Sequence, residues 1–292
     1  GTRMIVSRSI FRDIRGLRYH FREWGNPTNP PLLFLHGWMD VSASFQFTVD
    51  ELSSQWRVIS PDWRGFGRSE WAMSDYWFSD YIADLDCIVD KLFPSESIAI
   101  VGHSMGGNIG AFYAGIKPHR VKKLILAEGF GIRRKYPKKT LSRYTEWLDH
   151  IKNPRRFRKY ETFDEVGMRI MKNTPKISLK NALFLAKHWA KKDACGLIEL
   201  RADPKHKNRP PNLLSIDEIL EVWKKITCPV LWLYSDSDWL KRFMKDEYCK
   251  IDEYRKCFKQ LEEIVIKNSS HMMHLDQPKI FATVIEKFLS KS

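Results

Sequence analysis

The sequence predicts an α/β fold with a mostly parallel central sheet flanked by helices and an inserted, mainly α-helical segment. Short runs of Ile, Val and Leu, bounded by Gly, Pro or Asp, alternate with helix-like stretches. This alternation is typical of parallel strands joined by crossover helices. The positive charge is concentrated in the middle third of the chain, which indicates a separate unit there.

Most strand candidates are short and continuously apolar, which indicates strands that are covered on both faces. The candidates are residues 17–24, 31–35, 57–61, 97–101, 121–127, 228–234 and 263–267. The helix-like stretches that separate several of them are residues 81–93, 108–117, 245–259 and 279–289.

The charge distribution predicts the domain organisation. Residues 130–226 contain 24 Lys and Arg against 11 Asp and Glu, whereas residues 1–129 (14 against 14) and 227–292 (11 against 10) are nearly balanced. The middle part also shows helical patterns, at residues 141–151, 163–171, 179–191 and 216–225. We therefore predict a core formed by residues 1–129 and 227–292, and a basic helical cap, or lid, at residues 130–226.

Composition argues against several classes of protein. The longest apolar runs are strand-sized, so no membrane span is predicted. The first residues show no apolar signal segment, which favours the cytoplasm. Five cysteines, an odd number without a Cys-x-x-Cys pair, indicate neither a disulfide framework nor a zinc site. We expect no metal and no cofactor.

The hexapeptide Gly102-His103-Ser104-Met105-Gly106-Gly107 lies between an apolar strand candidate and a helix-like stretch. In a nucleophile elbow the serine has strained backbone geometry, and the flanking glycines avoid a collision across the turn. The N-terminus of the following helix favours negative charge near the serine. Without this context, the alternative is a glycine-rich turn with no catalytic role.

A serine hydroxyl needs a base within hydrogen-bond reach and a third group that orients the base. Asp236 and Asp238 follow the strand candidate at 228–234, and His271 and His274 follow the last one. The order serine, acid, histidine is the order found in α/β-hydrolases.

Four motifs occur in sequence order: His36-Gly37-Trp38, the stretch from Asp62 to Ser69, the hexapeptide around Ser104, and the stretch from His271 to Pro278. Together they resemble the α/β-hydrolase superfamily. The similarity is to its capped branch, which contains epoxide hydrolases, haloalkane dehalogenases, carbon–carbon bond hydrolases and serine hydrolase-like esterases. The basic middle part falls where this branch inserts its cap.

The resemblance implies that Ser104 is the nucleophile and His271 the general base that later protonates the leaving group. His274 matches a residue further along the same loop. The backbone N–H groups of Trp38 and Met105 match the two oxyanion-hole positions of the family.

The resemblance leaves three candidates for the acid. Residues 234–238 resemble the strand-end Gly-x-x-Asp pattern with Ser235 in place of the glycine, which ranks Asp238 first. Glu128 ends a predicted strand where some dehalogenases of this branch carry their acid, and it ranks second. Asp236 ranks third. We expect Asp62 and Arg64 to be ion-paired rather than catalytic.

The function that follows is hydrolysis of a carboxylic ester or thioester through an acyl-enzyme. An aspartate nucleophile is excluded by Ser104. Two alternatives stay open on the same triad, a carbon–carbon bond hydrolase and a cofactor-free oxidoreductase. A non-catalytic binding protein of this fold is the alternative from another class.

The expected partner is a small-molecule acyl substrate, either anionic or lipid-like. Basic runs at residues 133–135, 138–139 and 155–159 could steer an anion, but no RNA- or DNA-binding motif accompanies them, so we do not expect nucleic acid. The substrate-pocket candidates are Trp38, Tyr144, Trp147 and Trp189, for which packing within the cap is the alternative. The sequence does not indicate an oligomeric state.

Overall fold

The computed structural model describes residues 4–129, 139–212 and 214–291. The strands in these ranges are β1 (Ser7–Ile14), β2 (Leu17–Trp24), β3 (Pro31–Leu35), β4 (Arg57–Pro61), β5 (Ile98–His103), β6 (Val121–Ala127), β7 (Ala190–Lys192), β8 (Ile198–Leu200), β9 (Val230–Ser235) and β10 (Leu261–Ile266).

The α-helices are α1 (Gln46–Glu51), α2 (Phe78–Leu92), α3 (Met105–Ile116), α4 (Thr140–Lys152), α5 (Phe163–Asn173), α6 (Leu179–Trp189), α7 (Ile216–Trp223), α8 (Trp239–Met244), α9 (Ile251–Arg255), α10 (Met273–Asp276) and α11 (Pro278–Leu289). Short 3₁₀ helices lie at Ser42–Phe45, Pro118–Arg120, Pro204–Lys207 and Lys245–Lys250.

Eight of the described strands form one sheet in the order β1-β2-β4-β3-β5-β6-β9-β10. The strands from β4 to β10 in this order are parallel to one another, while β2 is antiparallel to both of its neighbours. The carboxyl ends of the parallel strands therefore meet at one edge, where ligands of such sheets bind. The predicted fold class, a mostly parallel sheet flanked by helices, is confirmed.

Helices cover both faces of this sheet, which explains why its central strands are continuously apolar. All residues of β3 and β5 are buried. On one face, Leu85 of α2, Ile109 of α3 and Trp223 of α7 belong to one buried apolar cluster. On the other face, Val49 of α1 and Phe281 of α11 belong to a second cluster.

The chain between β6 and β9 contributes α4 to α7 and a small antiparallel sheet of β7 and β8. We call its described residues 139–212 and 214–226 the insert. The hydrophobic side chains of α5 and α6 share a buried cluster with residues of the 41–47 region, among them Ile170, Leu185 and Phe47. The four helical patterns that the sequence shows here coincide with α4 to α7. The pair β7 and β8 has no counterpart in the sequence analysis.

Backbone hydrogen bonds join residues 201–203, within the insert, to residues 65–67 in the loop after β4. Gly67 N–H donates to Arg201 O at 2.8 Å, and Asp203 N–H donates to Gly65 O at 2.9 Å. Phe66 and Ala202 form an isolated β-bridge between these two hydrogen bonds. We call residues 65–67 together with residues 201–203 the strap.

His206 packs against the strap from the insert side. Its ring stacks on Phe66, with ring centroids 3.8 Å apart, and on Tyr76, at 3.9 Å. Its Nε2 lies 3.0 Å from Gly65 O, which makes this nitrogen the protonated one of a neutral ring. Burial lowers the pKa of His206 to about 4.

Across the ranges that the structure describes, no helix combines the length and the apolar character that crossing a lipid bilayer requires.

Replacing Gly115 with alanine should destabilise the protein by about 1–3 kcal/mol, because overpacking against a rigid backbone cannot relax easily. A Cβ at Gly115 would lie 2.2 Å from Val222 O, where α3 passes α7. The matched control is Gly110→Ala in the same helix, where a Cβ meets only side-chain methyl groups, at 3.2 Å and 3.3 Å. Thermal and urea unfolding of both variants measure the difference. Equal stability of the two variants would contradict the prediction.

The depressed pKa of His206 predicts a pH dependence of stability. An unfolded histidine has a pKa of about 6.5, so this residue contributes stability that is complete above pH 6.5 and is lost as the pH falls towards 4. The contribution amounts to about 3 kcal/mol. His206→Gln should therefore lose less free energy of unfolding between pH 7 and pH 4 than the unmodified protein.

Denaturant titrations at several pH values provide this measurement. The control is His119→Gln, because His119 is exposed. This variant should keep the full pH dependence. The expectation fails if the two variants show the same slope.

Candidate active site

The turn between β5 and α3 holds Ser104 in a strained conformation, with φ 53° and ψ −118°. A Cβ at Gly102 would lie 2.5 Å from Gly107 Cα, and a Cβ at Gly106 would lie 2.2 Å from Leu35 O at the end of β3. Both positions therefore require glycine, one against the turn itself and one against the neighbouring strand. Strain of this kind persists where the surrounding structure enforces it, and it is common at active sites.

His271 lies in the loop after β10, and its Nε2 is 3.0 Å from Ser104 Oγ. The ring of Trp239 stacks on the imidazole, with centroids 3.6 Å apart and an interplanar angle of 13°. On the other side of the loop, His103 Nε2 donates to the backbone oxygen of His271 at 2.6 Å. The structure thus brings the two residues expected to be nucleophile and base into hydrogen-bond contact.

The carboxylate next to His271 comes from the end of β6. Glu128 Oε1 is 3.5 Å from His271 Nδ1, and its side chain is almost completely buried. This separation is an ion-pair distance and is long for a hydrogen bond, so Nδ1 has no hydrogen-bond partner among the described residues. Such contacts often tighten only when a ligand is bound. Ser235 Oγ at the end of β9 donates to the same Oε1 at 2.8 Å.

The structure places Asp238, which the sequence ranked first, away from the imidazole. Asp238 is exposed and directly precedes α8, whose first residue, Trp239, is the one that reaches His271. Asp236 is also exposed, and its oxygens accept the N–H groups of Asn268 at 2.6 Å and Ser269 at 3.0 Å. These two donors lower the pKa of Asp236. Glu128, ranked second from the sequence, is therefore the candidate carboxylate that lies next to His271, and the role of acid stays a prediction.

The two predicted oxyanion donors lie at the same cavity as Ser104. Trp38 and Met105 both line it, together with His271. Met105 is the first residue of α3, so its N–H is one of those that have no partner within the helix. The positive end of the helix dipole adds to the attraction for negative charge at this point.

The second histidine of the loop, His274, is completely buried beside His103. Its Nε2 is 3.6 Å from Asp40 Oδ2, and its ring centroid is 4.4 Å from that of His103. Burial would raise the pKa of Asp40, but His274 outweighs this effect and the pKa is lowered. Burial, together with the neighbouring histidines, holds the pKa of His103 well below its usual value.

Asp40, His103 and His274 are the described residues that come closest to a metal-binding group. One ligand atom from each lies within 4.8 Å of the others. Zinc ligands lie about 2.0–2.2 Å from the ion, so the three side chains would have to approach one another to hold it. One Asp40 oxygen already accepts the indole N–H of Trp189 at 3.0 Å.

Arg64 and Asp62 do not pair with each other. Each binds a residue from outside the 62–69 loop. Arg64 binds Asp84 with two hydrogen bonds, Nε–Oδ2 at 2.6 Å and one terminal nitrogen to Oδ1 at 2.8 Å. Asp62 contacts His20 Nδ1 at 2.7 Å. Both residues are buried under the site and do not line its cavity.

The cavity above Ser104 has a volume of about 530 Å³ and an aromatic wall. The aromatic side chains that line it are Trp38, Tyr76, Phe78, Tyr81, Trp239 and Phe243. Five of them come from the loop before α2, from α2 itself and from α8, which the sequence analysis did not connect with the pocket. The signal available was the aromatic run Tyr76-Trp77-Phe78 and the position of Trp239 beside the proposed acid.

Of the four predicted pocket residues, Trp38 lines this cavity. The other three are not part of its lining and form hydrogen bonds elsewhere. Tyr144 donates its hydroxyl to Asn212 at 2.8 Å. Trp147 donates its indole N–H to Asp75 at 2.8 Å. Trp189 donates to Asp40, as described above.

The basic runs noted in the sequence are only partly described. Residues 133–135 and 138 lie outside the described ranges. In the run at 155–159, Arg155 is 4.0 Å from Glu146, and Lys159 is 2.6 Å from Asp193. Arg158 lies over the ring of Tyr160 at 4.9 Å. These cations are exposed and mostly engaged with neighbours on the surface of the insert.

Comparisons with known proteins agree with the observed fold. A serine hydrolase-like protein of Danio rerio is 26% identical over 283 residues, which cover 91% of this chain and 83% of the relative. The solved thioesterase domain from the curacin biosynthetic pathway is 22% identical with a TM-score of 0.84, covering 96% of this chain and 99% of that domain. An esterase of Mycobacterium tuberculosis is 17% identical with a TM-score of 0.72, covering 98% and 92%.

The family model of the alpha/beta hydrolase fold matches residues 30–278. This range contains β3 to β10, the turn at Ser104 and the loop with His271. The chain therefore belongs to the α/β-hydrolase fold family.

Proposed function

We propose that this protein is a serine hydrolase that cleaves a carboxylic ester or thioester through an acyl-enzyme at Ser104. One observation carries the proposal: His271 Nε2 lies 3.0 Å from the Oγ of a serine held at φ 53° beneath an aromatic cavity. A serine so placed is exposed to substrate and has its base within reach. The esterase and thioesterase among the similar structures support the same reaction class.

In the first half of the reaction, His271 Nε2 takes the proton from Ser104 Oγ as the oxygen attacks the carbonyl carbon. The negative charge that develops on the carbonyl oxygen is stabilised by the backbone N–H groups of Trp38 and Met105. One such donor contributes about 3–4 kcal/mol in the transition state. The tetrahedral intermediate collapses, and the leaving alcohol or thiol takes the proton from His271.

In the second half, a water molecule attacks the acyl group on Ser104 while His271 accepts one of its protons. The carboxylic acid leaves, Ser104 regains its proton, and the enzyme returns to its starting state. No further group has to be supplied, because the base and the nucleophile are both restored.

Glu128 serves in this mechanism as the acid that orients His271. Its buried carboxylate, 3.5 Å from Nδ1, keeps the proton on Nδ1, so that Nε2 is free to act as the base. It also stabilises the imidazolium that forms in each half-reaction. The hydrogen bond from Ser235 holds the carboxylate in this orientation.

The insert acts as the cap of this enzyme, residues 130–226, over a core of residues 1–129 and 227–292. The substrate is a small molecule with an apolar acyl group, because the cavity wall is mainly aromatic. The cap supplies Lys205, His206 and Asn208 to the same cavity, which gives it a polar side.

Ser104→Ala should remove hydrolysis of acyl esters and thioesters and should also remove labelling by a fluorophosphonate probe. The loss in kcat should be about 10⁴-fold or more, because the nucleophile itself is lost. A panel of esters and thioesters, varied in acyl chain length and charge, measures the activity. If the unmodified protein neither hydrolyses the panel nor reacts with the probe, the proposal is wrong.

Glu128→Gln should lower kcat by about 10²- to 10⁴-fold, because an amide cannot hold the Nδ1 proton or stabilise the imidazolium. The matched control is Asp238→Asn, which makes the same chemical change at an exposed carboxylate one strand away and should leave kcat nearly unchanged. The readouts are steady-state kinetics on the best substrate of the panel and the rate of probe labelling. The reverse pattern would assign the acid to Asp238.

A further inference from the structure

A pocket of about 250 Å³ lies at the junction of the insert with the rest of the chain, and positive side chains reach it from both sides. Arg22 of β2 and Arg68 of the 62–69 loop come from one side, and Lys187 of α6 and Arg201 of the strap from the other. We call this the cation pocket. Its lining also includes His188, Asp62 and residues 41–43.

None of the four cations lies within 4.0 Å of a carboxylate in the part of the chain that the structure describes. Asp62 is the one carboxylate of the lining, and its two oxygens accept hydrogen bonds from His20 Nδ1, Ser42 N–H and Arg68 N–H. Four positive side chains thus face one carboxylate, and their mutual repulsion favours the binding of an anion.

Arg22 is the deepest of the four, with 8% of its surface exposed. One terminal nitrogen donates to Ser7 Oγ at 2.9 Å and the other lies 3.4 Å from His188 Nδ1, but its Nε has no partner. A buried guanidinium donor without an acceptor is costly, and native proteins rarely leave one unsatisfied. The side chain of Arg22 also lines the cation pocket.

The surrounding titratable groups respond to the same excess of positive charge. Burial lowers the pKa of both Arg22 and Arg201, and Arg68 lowers each of them further, against the opposing effect of Asp62. Burial, followed by Arg22 and then by Arg201 and Arg68, lowers the pKa of His188 to about 4. At neutral pH the imidazole of His188 is therefore uncharged beside its cationic neighbours.

We propose that the cation pocket binds a phosphate-type oxyanion, either free phosphate or the phosphate group of a small monoester, between the insert and the core sheet. Guanidinium groups from three different elements line the pocket, and arginine recognises a tetrahedral oxyanion through charge-assisted hydrogen bonds. The bound anion links β2 and the 62–69 loop to α6 and the strap. The proposal is independent of the chemistry at Ser104.

The first test is calorimetric titration of the full chain with inorganic phosphate and, separately, with methyl phosphate, in a chloride buffer. Arg201→Gln should weaken binding by about tenfold or more, because charge-assisted hydrogen bonds are lost. Arg68→Gln, at an exposed position that can change without disturbing the core, should weaken it in the same direction. Lys192→Gln, in β7 of the same insert, removes one exposed positive charge and should leave binding unchanged.

The second test follows His188 by NMR, with its signals assigned by their loss in His188→Gln. Saturating phosphate should raise the pKa of His188, since a nearby anion favours the imidazolium. The shift should disappear in Arg201→Gln. Tight binding of methyl phosphate alone would identify a monoester as the ligand, and tight binding of inorganic phosphate alone would identify free phosphate.

Three results would overturn the proposal. They are the absence of saturable binding of either anion, equal binding by the unmodified protein and both arginine variants, and a pKa of His188 that does not move at saturation. Because hydrolysis at Ser104 enters none of these measurements, their failure would leave the proposed function untouched.

Discussion

The close packing of backbone against backbone around Gly102 and Gly106 determines where everything else in the site lies. Leu35 O occupies the space that a side chain at Gly106 would need, so β3 and the turn after β5 can be neighbours only with glycine there. The same packing forces Ser104 into a conformation that costs of order 1–3 kcal/mol.

The sheet order explains why the carboxylate next to His271 follows β6. β6 lies between β5 and β9, and His103 is paired with Ala127, which in turn is paired with Leu233. The residues that follow these strand ends, Ser104 and Glu128, therefore emerge side by side, and Ser235 ends β9 next to them. Glu128 also has a positive φ of 49°, so its chain turns sharply at the sheet edge and its side chain stays buried.

The sequence was informative where local pattern and tertiary structure agree. The strands covered on both faces were predicted, because burial on both faces produces an unbroken apolar run. β1 was missed because it lies at the edge of the sheet and pairs with β2 alone. Of its residues Ser7–Ile14 only Ile14 is fully buried, so the sequence shows no apolar run there. β7 and β8 have three residues each, too few for a periodic pattern. The single helix expected at 245–259 is a 3₁₀ helix followed by α9.

In the site, too, some features could be predicted from the sequence and others could not. Ser104 and His271 follow strands in recognisable motifs, so their meeting could be anticipated. The choice between Glu128 and Asp238 could not, because both follow strand ends and the difference depends on where α8 begins. A helix that starts at Trp239 brings an indole ring, not a carboxylate, to the imidazole. Such a one-residue difference in a loop is invisible without the three-dimensional path.

The strap holds the insert against residues 65–67 at a point between its described residues 139–200 and 204–212. The contacts there are two backbone hydrogen bonds and one β-bridge, and a backbone hydrogen bond does not depend on which side chain the residue carries. The side chain of Arg201 is therefore free to vary without loss of the attachment, so the chemistry of the cavities beside the strap can change while the insert stays in place.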